Sequence, residues 1–98
     1  MFKSLVIGSV KKGPDFKNIS GNICCNFTLS VANTYNNKKI SSNVRCTVWG
    51  ELAERMLKEY KNNDIIAGVG DASIVPYKGT YVYNLIITSL EIIKKRSD

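Results

Sequence analysis

The sequence contains no histidine, so it lacks the side chain that most often serves as a general base near neutral pH. That absence excludes a Ser-His-Asp triad, a Cys-His dyad and a histidine ligand for zinc. The carboxylates that could act in its place are scattered through turns, and no pair has the spacing of a metal site. The three cysteines have no Cys-x-x-Cys spacing. We therefore expect a protein that is not an enzyme and that holds no metal and no cofactor.

Long apolar runs are also missing, since none approaches the ~18 residues that a membrane-spanning helix needs. The apolar run near the N-terminus is too short for a signal peptide. The odd number of cysteines is typical of buried, reduced thiols and favours the cytoplasm. The 98 residues, 44% hydrophobic and 22% charged, suffice for one folded domain. We expect a single cytoplasmic domain without a membrane partner.

The charge is uneven along the chain, whose formal net charge is +6. Residues 1–50 hold seven Lys or Arg and one Asp, whereas residues 51–98 hold seven basic and seven acidic side chains. The whole excess therefore lies in the first half. Such asymmetry favours a polyanionic partner, although a solubilising surface is the simpler alternative.

Alternating apolar and polar residues predict five β-strands. The alternation is cleanest from Ile23 to Val31, and in the next strand it places Val44, Cys46 and Val48 on one face. The other predicted strands cover residues 5–10, 65–75 and 81–93. We expect the connections to be a turn at Lys12–Asp15, a turn at Ser20–Asn22, a polar loop at Asn33–Lys39 and a tight hairpin turn at Lys78–Thr80.

The spacing of the apolar residues changes after the third strand. Leu52, Met56 and Tyr60 fall four residues apart, with Ala53 and Leu57 beside them, which predicts a short helix over residues 51–60. Glycines at positions 68 and 70 indicate a bulge or sharp bend in the fourth strand. The order predicts an all-β fold, a five-stranded OB-fold Greek-key barrel with one short α-helix between strands 3 and 4. A general α+β sheet also fits the periodicity.

Arg45 and Trp49 share the polar face of the third predicted strand. A lone Trp is more often a core residue, but here the alternation assigns the core to the opposite face. An exposed aromatic ring beside a guanidinium can stack on bases and bind phosphates.

Two further groups combine tyrosine with lysine. Tyr35 lies beside Lys38 and Lys39, and Tyr77 precedes Lys78 at the hairpin turn. Tyrosines in hairpins often only pack against the sheet. Together with Arg45 and Trp49, however, the pattern indicates sequence-tolerant binding of an unpaired nucleic-acid strand. The one helix is short and acidic, which disfavours reading of the DNA major groove.

Several segments resemble the bacterial and phage single-stranded DNA-binding protein family. The resemblance covers residues 3 to about 93 and is most specific where the third strand runs into the helix. Its segments are Ile7-Gly8 with Pro14, Ser20-Gly21, Asn26 to Val31, Arg45 to Glu54, and Gly70.

The resemblance implies an OB-fold domain over residues 1–93, with residues 94–98 as a short polar end. It implies a homo-oligomer, a dimer or a tetramer, that wraps single-stranded DNA. The family's base-stacking aromatics would fall on Tyr35, Trp49 and Tyr77, and its phosphate-binding residues on Lys3, Arg45 and Lys61. We add the neighbouring Lys38, Lys39 and Lys78 to the expected nucleic-acid site.

This chain also departs from the family's pattern. Asn43 stands where the family has another aromatic, Glu51 where a basic residue is common, and Asp71 where a polar or basic residue is usual. The family's long flexible tail with an acidic tip has no counterpart in the 98 residues. If 98 residues are the natural length, a phage, plasmid or other mobile-element protein is expected; a truncated form is the alternative.

Our first hypothesis is non-sequence-specific single-stranded DNA binding in DNA replication, recombination or repair. The alternative is a tail-less primosomal-type OB-fold adaptor that acts mainly through contacts with replication proteins. RNA is a third candidate ligand, which its 2′-hydroxyl groups would distinguish from DNA.

Overall fold

The computed structural model describes residues 2–95, apart from the side chains at positions 13, 33 and 35. The elements are β1 Phe2–Ile19, β2 Asn22–Tyr35, β3 Lys38–Trp49, α1 Glu51–Glu59, β4 Ile65–Tyr77 and β5 Thr80–Lys94. The strands close into a barrel in the order β1-β2-β3-β5-β4, with β1 paired to β4. The β3–β5 pair is parallel and the others are antiparallel. The all-β class predicted from the sequence is confirmed.

The turn predicted at Lys12–Asp15 is wrong, because β1 runs without interruption from Phe2 to Ile19. The strand changes partners near its middle, from β4 before Ser9 to β2 after it. Its pairing with β2 shifts register on either side of Lys12. Such bulges let a strand bend from one side of a small barrel to the other. The proline at position 14 lies at the register shift between the paired residues Lys12 and Asp15, a position at which a missing N–H is tolerated.

The polar loop predicted at Asn33–Lys39 is also wrong in extent, because β2 and β3 pair up to Tyr35 and Lys38. Only Asn36 and Asn37 remain as a two-residue turn, both with positive φ. Positive φ at both central residues is the geometry that suits the twist of a hairpin. The turns at residues 20–21 and 78–79 also have positive φ at both residues. The hairpins therefore project as paired ribbons rather than as loose loops.

The barrel core is built from the inward positions of the strands. Val44, Cys46 and Val48 are buried, which confirms the predicted core face of β3. The bend expected in β4 is present as a register shift between Val69 and Gly70. A Cβ at Gly70 would lie 1.9 Å from the carbonyl oxygen of Ile86, so only glycine fits there.

Helix α1 covers one end of the barrel with Ala53 and Met56, both fully buried. Tyr60, just after the helix, is also buried, whereas Leu57 is 62% exposed. The apolar stripe predicted for the helix is therefore wrong at Leu57. The helix has nine residues, about two and a half turns, so its narrow inward face has room for few side chains.

All three cysteines are free and buried. Burial raises the pKa of both Cys25 and Cys46 to about 12. These thiols therefore stay protonated at neutral pH, and a thiolate is the form that reacts.

Candidate nucleic-acid interface

A polar groove of about 580 Å³ is lined by outward residues from all five strands. It arises because alternate residues of each strand point away from the core. Its floor carries hydroxyl and amide groups, with the charged side chains near them. We use the name polar groove for this surface, whose outward residues are Lys12, Asp15, Asn26, Thr28, Arg45, Thr47, Ser73, Asn84 and Ile86.

The floor of the polar groove is held in place by pairing across strands. Asn26 and Thr47 are register partners, and the Thr47 hydroxyl donates a hydrogen bond of 2.9 Å to Asn26 Oδ1. Arg45 is the register partner of Thr28 on β2 and of Asn84 on β5. The groove therefore presents fixed hydrogen-bonding groups around one guanidinium, which suits a ligand that carries phosphates and polar base edges.

The β4–β5 hairpin lies against this groove through Tyr77. The Arg45 guanidinium carbon is 4.6 Å from the centre of the Tyr77 ring, and Lys78 Nζ is 5.3 Å from the same centre. Both distances are within the range of cation–π attraction. Tyr77 remains 42% exposed. The structure therefore brings together three residues that the sequence predicts for the site, an aromatic ring and two cations.

Trp49 lies at the end of β3, on the same strand face as Arg45 and Thr47. Its side chain is 45% exposed, while the neighbouring Val48 is fully buried. Trp49 is therefore a half-exposed surface residue rather than part of the core. Trp49 does not line the polar groove. At about 3.3 Å per residue, it lies some 7 Å beyond Thr47 along β3, on the side of α1.

The β2–β3 hairpin carries the next predicted group. Lys38 and Lys39 are exposed at the start of β3, and strand alternation places Lys39 on the face of Arg45 and Lys38 on the other. Neither lysine lines the polar groove. Tyr35 ends β2 opposite Lys38, and its side chain lies outside the described part of the structure.

Lys3 and Lys61 lie apart from the polar groove. Lys3 Nζ is 2.7 Å from Asp71 Oδ1, across the β1–β4 pair. Lys61 follows α1, and its backbone N–H donates a 2.9 Å hydrogen bond to Asp64 Oδ2. Neither residue lines the polar groove that contains Arg45.

Several residues that line the groove were not predicted from the sequence, among them Lys12, Asn26, Thr28 and Asn84. An adjoining hollow of about 260 Å³ shares Lys12, Thr28 and Arg45 and adds Lys11 and Asn43. The polar residues that alternate with apolar ones in β2 could have indicated Asn26 and Thr28 as outward-facing groove residues. Lys11 and Lys12 were missed because the predicted turn removed them from the strand.

A second surface, on the outward side of β1 and β4, is apolar. Leu5 pairs with Val69 and Ile7 with Ala67, and three of the four are well exposed, Leu5 at 63%, Ile7 at 51% and Val69 at 40%. We name these four residues the apolar face.

Two other kinds of site are not found in the part of the chain that the structure describes. Residues 2–95 contain no group of three or more Cys, Asp or Glu placed to hold a metal ion. Among the same residues, no helix is long and apolar enough to cross a membrane.

Three of the matches to known proteins agree with one another. The family model described as "Single-strand binding protein family" matches residues 1–93. Single-stranded DNA-binding protein 1 of Clostridium acetobutylicum is 31% identical over 83 residues, which cover 80% of this chain and 76% of that protein. The crystal structure of a small single-stranded DNA-binding protein from Streptomyces coelicolor matches the fold with a TM-score of 0.77. That match has 13% identity and covers 93% of this chain and 91% of the other.

Proposed function

The chain belongs to the single-strand binding protein family, and from this premise we propose that it binds single-stranded DNA without requiring a defined sequence. In this proposal the aromatic side chains stack on bases and the cations contact phosphates. The relative from Clostridium acetobutylicum, named as a single-stranded DNA-binding protein, supports the same ligand.

The observation that carries the proposal is the contact between Arg45 and Tyr77 beside the polar groove, 4.6 Å from guanidinium to ring centre. Tyr77, at the end of β4, offers a π-face beside Arg45 of β3. Arg45 can bind a phosphate while it remains near the ring. Trp49 provides a second exposed ring on the same strand face as Arg45.

We propose that the bound strand leaves this centre in two directions. On one side lie the cations of the two hairpins, and on the other side Trp49 leads towards Lys61 after the helix. Lys3 contacts phosphates only if the strand continues around the barrel, because Lys3 sits beside Asp71 on the β1–β4 side. The full proposed set is Lys3, Tyr35, Lys38, Lys39, Arg45, Trp49, Lys61, Tyr77 and Lys78.

The apolar face supports the proposal of a homo-oligomer. Leu5 and Ile7 are more than half exposed, although a lone barrel would gain by burying them. The same segment of β1, from Phe2 to Ile7, pairs only with β4 among the described strands, so its other backbone edge is available. A second copy of the chain can cover the aliphatic side chains and that edge together. A dimer forms in this way, and a tetramer needs one further surface.

The proposed biological role is DNA replication, recombination or repair in the cytoplasm, for a phage, a plasmid or another mobile element. The protein acts in this proposal by covering unpaired strands and carries out no chemical step. RNA remains a ligand to be tested beside DNA, and replication proteins are proposed as further partners.

Titration of the Trp49 fluorescence with a thymidine oligonucleotide tests the proposal. Stacking on Trp49 should quench its emission in a saturable way. A strand that contacts about five cations through its phosphates should give a log–log salt slope near −3.5. No quenching and no retention of the oligonucleotide at low salt would exclude the proposal. An RNA oligonucleotide of matched sequence shows which sugar is preferred.

The adaptor function remains the second candidate, because Leu57 is 62% exposed on the surface of α1. The other exposed residues of α1 are charged, and a leucine exposed among them is suited to a protein contact. Trp49→Ala should then leave the biological function intact, whereas Glu54→Lys on the same helix should abolish it. The opposite pattern would favour DNA binding as the main function.

A further inference from the structure

Asp15 is a carboxylate inside a groove that is otherwise suited to an anion. It lines the polar groove together with Lys12 and Arg45. Among residues 2–95, however, Asp15 forms no ion pair, whereas Asp71, Asp64 and Glu59 each have a cationic partner. A carboxylate repels phosphates, so its presence there needs another explanation than backbone binding.

The neighbour of Asp15 across the strands supplies the complementary group. Asp15 and Asn26 are register partners in the β1–β2 pair, and both line the polar groove. Side chains opposite each other on antiparallel strands lie close enough to contact one small ligand. Asn26 Oδ1 accepts the hydrogen bond from Thr47, so the amide oxygen is already engaged and Nδ2 is the remaining donor.

Together the two side chains offer two adjacent acceptors followed by one donor. The Watson–Crick edge of guanine has the matching order, with donors at N1 and N2 and an acceptor at O6. Thymine has a single donor between two carbonyl oxygens, so a carboxylate placed on its edge would face a like dipole. Cytosine and adenine present one amino group beside ring acceptors. Bases of unpaired strands are commonly read on this edge.

We propose that Asp15 and Asn26 form a guanine-preferring subsite in the polar groove. The Asp15 carboxylate accepts from guanine N1–H and N2–H, and Asn26 Nδ2 donates to O6. This inference rests on the proposed single-stranded DNA binding and adds a base preference at one position of an otherwise sequence-tolerant site. The negative charge of Asp15 then lowers the affinity for strands that cannot form these bonds.

The test compares three oligonucleotides of equal length in lithium buffer, which limits guanine quadruplexes. They are all-thymidine, thymidine with isolated guanines, and the same strand with inosine at each guanine position. The wild-type protein should bind the guanine strand about five-fold or more tightly than the thymidine strand. Inosine lacks the N2 amino group and should fall between the two.

Asp15→Asn should remove the preference for guanine and should bind the thymidine strand at least as tightly as the wild type does, because the repelling carboxylate is gone. Asp71→Asn is the matched control, because it removes the same charge at a residue paired with Lys3 outside the groove and should leave the preference unchanged. The inosine comparison uses only the wild-type protein, so the test holds even if a variant fails to fold.

Equal binding of all three strands by the wild type would overturn the subsite and leave the proposed function in place. A guanine preference that survives in Asp15→Asn would also overturn it. Failure to bind any strand would instead contradict the proposed function, and the subsite with it.

Discussion

The polar groove and the apolar face are built from the same barrel strands, yet they differ in almost every chemical property. Both consist of outward positions, and both expose side chains to a similar degree, such as Ile86 at 45% in the groove and Ile7 at 51% on the apolar face. The groove surrounds its aliphatic residue with hydroxyl, amide and charged groups. The apolar face has aliphatic side chains alone. The inward positions thus build the barrel, and the outward positions divide it into two surfaces.

This division separates two kinds of partner. Aliphatic side chains cannot bind phosphates and offer no π-face to a base, so the apolar face is suited to protein. The polar groove, with Arg45 and Tyr77 at its side, is suited to an anionic chain of aromatic bases. If the two surfaces serve different partners, substitutions on the apolar face should have little effect on nucleic-acid binding, and substitutions in the polar groove little effect on oligomerisation.

The largest effect is expected for Leu5→Asp on the apolar face. Burial of a leucine contributes about 1.5 to 3 kcal/mol, and a two-fold interface loses that contribution twice. The added carboxylates must also be desolvated. We expect the homo-oligomer to dissociate to monomers at micromolar concentration, which light scattering coupled to size-exclusion chromatography will measure.

Leu57→Asp provides the matched control for this experiment. Leu57 is 62% exposed, almost the same as Leu5 at 63%, but it lies on α1. The control should keep the oligomeric mass of the wild type. If Leu5→Asp keeps that mass as well, the apolar face is not the interface and the comparison between the two surfaces loses its main conclusion.

The next largest effect is expected for Trp49→Ala. Loss of one base stack should weaken binding of a thymidine oligonucleotide by about 1 to 3 kcal/mol. Because Trp49 is half-exposed, the midpoint of thermal unfolding should change little. Trp49→Phe, which keeps an aromatic face, should recover part of the affinity. Unfolding of Trp49→Ala at room temperature would show instead that Trp49 belongs to the core.

The sequence predicted those features of the site that depend on neighbouring residues, and it did not predict those that depend on residues far apart in the chain. The alternation of β3 is local, so it placed Val44 and Cys46 inside and Arg45 and Trp49 outside, as the structure has them. The contact of Arg45 with Tyr77 is not local, because it depends on how the β4–β5 hairpin lies against β3. Residue types alone could place both residues in one site but could not place one against the other.

The wrong predictions of a turn at Lys12–Asp15 and of a long loop at Asn33–Lys39 have a similar origin. Gly13 and Pro14 are turn-forming residues, but in β1 they lie at the register shift between Lys12 and Asp15 in the pairing with β2, where the strand bends. Asn36 and Asn37 form the expected turn, whereas the residues beside them extend the strands because each finds a partner across the hairpin. Local propensity therefore located the bends correctly and could not tell a bend within a strand from the end of one. For that reason Lys12 and Asp15, beside the first bend, were not predicted as part of the nucleic-acid site.

A smaller effect is expected for Tyr77→Ala, compared with Tyr81→Ala on the other strand of the same hairpin. Tyr77 is near Arg45 and Lys78, whereas Tyr81 is 70% exposed and pairs with Pro76. Loss of Tyr77 should weaken binding by about 1 to 2 kcal/mol through the lost stack, and loss of Tyr81 by clearly less. Fluorescence titration of both variants will measure the difference. Equal losses would mean that the hairpin, rather than its contact with Arg45, determines affinity.

The smallest effect, and the most specific one, is expected in the salt dependence of Arg45→Gln. Each phosphate contact with a single strand contributes about 0.7 to the log–log salt slope, so this variant should bind with a slope shallower by about that amount. Arg55→Gln is the control of the same residue type, since Arg55 is exposed on α1 and paired with Glu59 at 2.8 Å. Its slope should equal that of the wild type. A shallower slope in both variants would mean that the net charge of the protein, and not the polar groove, determines how the strand is held. An unchanged slope in Arg45→Gln with reduced affinity would instead mean that Arg45 acts by holding the Tyr77 ring.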